Sequence, residues 1–193
     1  IWVEVRDGGS TELLEAIAGE AGQQTCDIMF GGGVESYDAY REYFEPYRCK
    51  LIDKLDDRYL SPDDRWTAFT ELPIVFIYNN KLVSGETAPH SWKDFLDDEW
   101  RGKIAFAAPG KSGTSYTALA TMILVLDMDE RELMEDFVYA LDGNVSAGSG
   151  EVVDEVSTGI RLVGITLEET AKKRIAKGAD ISMIYPEEGT STV

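Results

Sequence analysis

The chain has 193 residues, enough for one large domain or two small lobes that each bury a core. Thirty-six acidic residues against eighteen basic ones give a formal charge of −18, a surface that repels nucleic acid and anionic lipid at long range. The hydrophobic fraction is 44%, and no uncharged apolar run reaches the roughly eighteen residues a membrane-spanning helix needs.

The opening segment, Ile1-Trp2-Val3-Glu4-Val5, alternates apolar and polar residues and predicts a strand over 1–6. It starts without methionine and reads as a mature piece cut at both ends, so a missing leader says little about compartment. Asp7-Gly8-Gly9-Ser10 makes a turn, and Leu13, Leu14, Ile17 and Ala21 follow at helical spacing. Asp27-Ile28-Met29-Phe30 predicts a short buried strand ended by Gly31-Gly32-Gly33, then a helix over 36–44 that Pro46 stops. This β–loop–α–β–loop–α opening implies a parallel sheet with right-handed crossovers.

Farther along, Leu72-Pro73-Ile74-Val75-Phe76-Ile77-Tyr78 is a continuous apolar run, expected to be a central strand. A short helix over 91–96 and a buried strand over 103–107 follow. Leu119, Met122, Ile123 and Leu126 mark one long helix; Leu133, Phe137 and Leu141 a second; Val152, Val153 and Val156 a shorter third. A strand over 161–166, a basic helix over 167–177 capped by Gly178, and a strand over 180–185 complete an α/β alternation.

Cys26 and Cys49 lack metal-ligand spacing, and the single histidine, His90, cannot complete a zinc site. Cys26 begins the predicted strand, and the helix after the glycine loop runs back about 13 Å. That return brings Cys49 near the strand's base, where a disulfide is plausible; two free thiols fit the count equally well.

Three loops share one construction, in which a strand ends, small residues follow and a helix begins. They are Gly8-Gly9-Ser10-Thr11, Gly31-Gly32-Gly33, and Lys111-Ser112-Gly113-Thr114-Ser115; Ser149-Gly150 is a candidate fourth. A helix start leaves backbone N–H groups unpaired at the positive end of its dipole, which suits a carboxylate or phosphate. Any one such loop is more often a plain turn with a cap, but three in succession at the same end of strands point to a shared crevice. None fits a nucleotide-binding loop: the lysine and glycine spacings are absent. Ser112 with His90 makes no Gly-x-Ser-x-Gly elbow, so no catalysis and no cofactor are expected. Among loop aromatics, Trp66 is the best candidate for a ligand-facing ring.

Ser91-Trp92-Lys93-Asp94-Phe95-Leu96, Trp100-Arg101-Gly102-Lys103-Ile104-Ala105, and the run from Pro109 through Ser112-Gly113-Thr114 to Leu119 resemble the ferric-iron-type solute-binding proteins of ABC importers. Asp27 to Gly33 looks like that family's second cleft loop, and Tyr185-Pro186-Glu187-Glu188-Gly189-Thr190 like its return into the first lobe. The resemblance implies a two-lobed type 2 periplasmic-binding-protein fold with mostly parallel sheets and two hinge-crossing strands. Lobe one would span 1–78 and 179–193, and lobe two 79–178, without the family's first strand and C-terminal helices. It carries ligand contact onto Ser10, Gly32, Gly33, Ser112, Gly113, Thr114, Ser149, Gly150 and, more weakly, Glu168. The paired tyrosines of some iron binders have no counterpart at Val163 to Glu168.

The reading is an extracytoplasmic protein, periplasmic or lipid-anchored. It would capture a small anionic ligand and hand it to a membrane permease, without nucleic acid and without inserting this segment in the membrane. The alternatives are a ferric-iron or ferric-chelate binder and the ligand-sensing domain of a receptor.

Overall fold

The computed structural model describes residues 2–20, 22–23 and 25–191. Its order is helix α1 (Ser10–Gly19), α2 (Val34–Ala39), strand β1 (Ile74–Asn79), β2 (Ile104–Ala105), helices α3 (Gly113–Val125), α4 (Glu130–Leu141) and α5 (Ser149–Thr158), β3 (Val163–Leu167), α6 (Glu168–Ala176) and β4 (Ile181–Ile184). Ala21, expected to extend α1, lies outside the described residues. The helix expected over 36–44 is a short α2 followed by a separate 3₁₀ turn at Arg41–Tyr43.

The strands form one sheet in the order β2-β3-β1-β4. It is mixed where mostly parallel pairing is expected: β2 and β3 run parallel, while β1 runs antiparallel to both β3 and β4. The reason is connectivity, because β1 carries the chain into this sheet and β4 carries it back out.

β1 is apolar throughout because both faces are covered. Successive side chains point to opposite sides of a strand, so Ile74 and Phe76 enter one core, and Val75 and Ile77 the other. The first core packs the Trp92–Phe95 turn, Met122 of α3, and Leu133 and Phe137 of α4 against the sheet. The second packs Val152, Val153 and Val156 of α5 with Ala171 of α6. Gly164 in β3 is needed for that closeness. A Cβ there would lie 3.0 Å from Val156 Cγ2, 3.1 Å from Val152 Cγ1 and 3.1 Å from the Ala105 carbonyl oxygen. Asn79 is buried at the end of β1 and donates to the Val156 carbonyl at 2.8 Å, tying strand to helix.

After β4 the chain clamps onto the start of this unit. Glu188 accepts hydrogen bonds from Ser91 Oγ (2.5 Å) and the Trp92 N–H (3.2 Å), and Trp92 Nε1 donates to the Gly189 carbonyl at 3.0 Å. The Ser91–Leu96 motif is therefore an anchor for the returning segment.

Two expectations fail in the N-terminal part. Neither 2–6 nor 27–30 forms a strand, and Trp2, Val3, Val5, Ile28 and Phe30 are exposed. A strand makes no hydrogen bonds within itself, and among the described residues neither segment has a pairing neighbour. The disulfide fails with them: Cys26 and Cys49 are free, one exposed and one half-buried. The strand that was to bring them together is absent.

Candidate functional site

The three glycine-containing helix starts meet at one point. α1 begins behind Gly9, α2 behind Gly33 and α3 behind Ser112. A methyl group on Gly113 would sit 3.1 Å from Ser10 Oγ and 3.8 Å from the Gly33 nitrogen, and one on Gly32 would sit 3.4 Å from the same hydroxyl. Gly9 is tighter still, since a Cβ there would approach the Lys111 carbonyl oxygen to 2.6 Å. Segments about a hundred residues apart in sequence thus abut through glycine, where a side chain would hold them apart.

Each helix start presents N–H groups with no intrahelical acceptor. The electrostatics of the three differ. α1 has Glu12 and α2 has Glu35 in the first turn, and α3 has no acidic residue there. Ser112 caps α3 by accepting from the Ser115 N–H at 3.3 Å. Ser112, Thr114, Ser115 and Thr117 are all buried, so α3 opens with a cluster of enclosed hydroxyls. Of the three, the α3 start is the most receptive to an anion.

The glycine loop before α2 is held by a residue that sequence patterning does not single out. Tyr37 donates its hydroxyl hydrogen to the Gly31 carbonyl at 2.6 Å. Burial, with a smaller contribution from the Cys26 thiolate, pushes the phenol up to about 12. The Glu35–Thr117 contact between α2 and α3 is also new: Thr117 Oγ1 donates to Glu35 Oε2 at 2.8 Å. Thr117 stands four residues after Gly113, on the same helix face, which is the one sequence signal that could have found it.

The other candidates are placed differently. Ser149 and Gly150 start α5 beside this point without joining it: Ser146 bonds Phe106 and Ala108, and the Lys111 and Ser112 N–H groups reach the Ala108 carbonyl. A Cβ on Gly148 or Gly150 would meet nothing within 4 Å, so that helix start faces open space. Trp66 belongs elsewhere. It lines a cavity of about 870 Å³ in the N-terminal part, with Phe30, Tyr37, Phe69, Cys26 and Cys49. Gly32 also borders that cavity, whereas Ser10, Gly33, Ser112, Gly113 and Thr114 do not. The Trp66 indole N–H is buried there without a partner among the described residues. His90 is occupied by the Gly85 carbonyl, 2.8 Å from its Nε2.

Glu168 sits where the strands cross. Its N–H donates to the Pro73 carbonyl at 2.8 Å, ahead of β1, and its carboxylate accepts from Lys172 at 2.7 Å and from the Tyr185 hydroxyl just after β4. Those two donors, Lys172 first, hold the Glu168 carboxyl below its ordinary value, while the bond to Glu168 raises the Tyr185 phenol. The lowered carboxyl stabilises the fold above pH about 4.5, a benefit lost as pH falls through the folded-state value. The raised phenol stabilises it below pH about 10, lost as pH rises through the folded-state value. Ultraviolet titration should therefore show one late-ionising tyrosine fewer in Tyr185→Phe, with Tyr37 still ionising late; an unchanged titration counts against this contact.

Residues 26–193 match the family described as bacterial extracellular solute-binding protein. The chain belongs to this family. The iron uptake protein A1 of Synechocystis is 26% identical to it, covering 100% of this chain and 56% of its own length. A putative 2-aminoethylphosphonate-binding periplasmic protein of Salmonella typhimurium is 28% identical over 58% of this chain and 32% of its own length. The periplasmic binding protein AfuA of Actinobacillus pleuropneumoniae, solved with fructose-6-phosphate, superposes with a TM-score of 0.82 at 24% identity, over 96% of this chain and 61% of that one. This chain has the type 2 periplasmic-binding-protein fold, and spans about half the length of the first curated relatives it matches. The Synechocystis and Salmonella relatives are named for uptake and binding, not for catalysis, and the family is described as extracellular. Among the described residues no helix is long and apolar enough to cross a membrane.

Proposed function

We propose that this chain captures a small anionic solute, such as a phosphate ester, phosphonate or carboxylate, between its two lobes. The carrying observation is the meeting of Ser10, Gly33 and Gly113, with α3 offering its first N–H groups and the buried Ser112 and Thr114 hydroxyls, and with no acidic residue in its own first turn. Lobe one would comprise 1–78 and 179–193, and lobe two 79–178. Ser112, Gly113 and Thr114 bind from lobe two, Ser10 and Gly33 from lobe one, with Gly32 at the edge and Ser149 and Gly150 alongside. Glu168 acts at the hinge, where Tyr185 and Lys172 hold it. Delivery goes to an ABC permease outside the cytoplasm, in keeping with the extracellular family and the named iron-uptake and phosphonate-binding relatives.

The test is thermal unfolding of the chain with 2-aminoethylphosphonate, sugar phosphates, dicarboxylates and ferric citrate. A ligand at about 100 times its Kd stabilises by about 2.7 kcal/mol. Thr114→Val, which keeps the shape and removes a hydroxyl, is expected to weaken that ligand about five- to tenfold. Stabilisation confined to ferric chelates would replace the anion by iron as the cargo. Stabilisation by none of them would remove the reading.

A further inference from the structure

We infer that Glu35 and Thr117 form an interlobe latch that favours the closed cleft. The inference rests on the two-lobed cleft reading, and adds a device that an entering solute must undo.

Glu35 lies in the first turn of α2, two residues after Gly33, and Thr117 lies one turn into α3, four residues after Gly113. The Thr117 hydroxyl is fully buried and donates to the Glu35 carboxylate at 2.8 Å. The bond is part-buried and its acceptor is charged, and a charge-assisted hydrogen bond of this kind is stronger than one between neutral groups at the surface. The carboxylate also sits where the α2 dipole favours negative charge.

The latch spans the joint behind the site. In front of it the lobes already touch, the Gly9 backbone against the Lys111 carbonyl and the Ser10 side chain against Gly113. A Cβ on Gly9 would lie 2.6 Å from the Lys111 carbonyl oxygen and one on Gly113 3.1 Å from Ser10 Oγ, so at these points the loops leave less than a methyl group's space between them. A solute that is to lie on the α3 N–H groups must first separate Gly9 from Lys111. Opening there requires α2 and α3 to part, and that breaks the Glu35–Thr117 bond. The latch therefore sets the fraction of molecules able to accept a ligand, and apparent affinity scales with that fraction.

Small-angle X-ray scattering of the ligand-free chain tests this in wild type, Glu35→Ala, Thr117→Val and the double variant. Each single variant is expected to raise the open-to-closed ratio about tenfold or more, seen as a larger radius of gyration, and the double variant no further than either single one. Glu35→Gln, whose amide oxygen still accepts from Thr117, is expected to scatter closer to wild type than Glu35→Ala does. Urea unfolding of each variant confirms that the change is opening and not loss of fold. Scattering from Glu35→Ala and Thr117→Val identical to wild type, or fully additive effects in the double variant, overturns the latch. No ligand enters these measurements, so they can fail while the solute titration succeeds, and the reverse.

Discussion

Phe76→Ala is expected to cost about 3–5 kcal/mol of unfolding free energy, the range for emptying a buried aromatic site. Phe76 is 1% exposed at the middle of β1, the strand that pairs with both β3 and β4. Its ring stands edge-on to Trp92 at 4.9 Å and to Phe95 at 4.7 Å. Both partners lie in the turn that receives the returning chain through Glu188 and Gly189. Truncation thus leaves a void and loosens the clamp together, against a total stability of about 5–15 kcal/mol for a domain. Urea unfolding followed by circular dichroism should show a lower midpoint with an unchanged slope. Val138→Ala, at an exposed position on α4, should stay within about 0.5 kcal/mol of wild type. A Phe76→Ala loss below about 1 kcal/mol would mean that this core is not packed as described.

The second large effect is expected at Gly9. Its backbone is extended, φ −67 and ψ 148, and any residue adopts that conformation, so Gly9→Ala carries no backbone strain. Its cost comes from tertiary contact, because the added methyl group would lie 2.6 Å from the Lys111 carbonyl oxygen, a rigid backbone atom. Something must move, and overpacking of this kind costs about 1–3 kcal/mol. The two segments are expected to part at this seam, with faster amide exchange over 10–13 and 113–116 and a lower melting temperature. Gly8→Ala is the control. A Cβ at Gly8 meets the Leu13 side chain at 3.2 Å, which can rotate away, so the effect should be several-fold smaller. Equal effects of the two alanines would show that the seam between residues 9 and 111 is absent in solution.

Gly9→Ala and the latch variants act on the same equilibrium from opposite sides. The methyl group pushes the seam open from the front, while Glu35→Ala releases it from behind. A tighter-binding variant is thus expected from the latch, whereas the methyl at Gly9 remains in the way when the lobes reclose on a solute.

The helices and strands between residues 74 and 184 were legible in the sequence because their signals are local, whereas the direction in which the strands pair was not. A strand covered on both faces must be apolar at every position, as Ile74 to Ile77 are. Leu133, Phe137 and Leu141 fall on one buried face at helical spacing, and an Asp129 side chain caps their helix by accepting two N–H bonds at 3.1 Å. Ser112 before Gly113 announced a helix start in the same way, as did the glycine pairs behind α1 and α2.

What the sequence could not settle depends on residues far away along the chain. Alternation over 1–6 and 27–30 is a necessary condition for a strand, but a strand also needs a neighbour to bond with, and period alone does not supply one. The pairing of Cys26 with Cys49 leaned on that missing strand. Trp66 sits in the wall of a separate cavity for a reason no local pattern contains. The convergence of Ser10, Gly33 and Gly113, and the bond from Thr117 to Glu35, join segments more than eighty residues apart in the case of the latch. Local propensity determined which helices start with small residues and free N–H groups. Only tertiary packing decided that three of those starts face one another, because that choice is made by close contact at Gly9 and Gly113, where the absence of a side chain has meaning only once the opposing segment is in place.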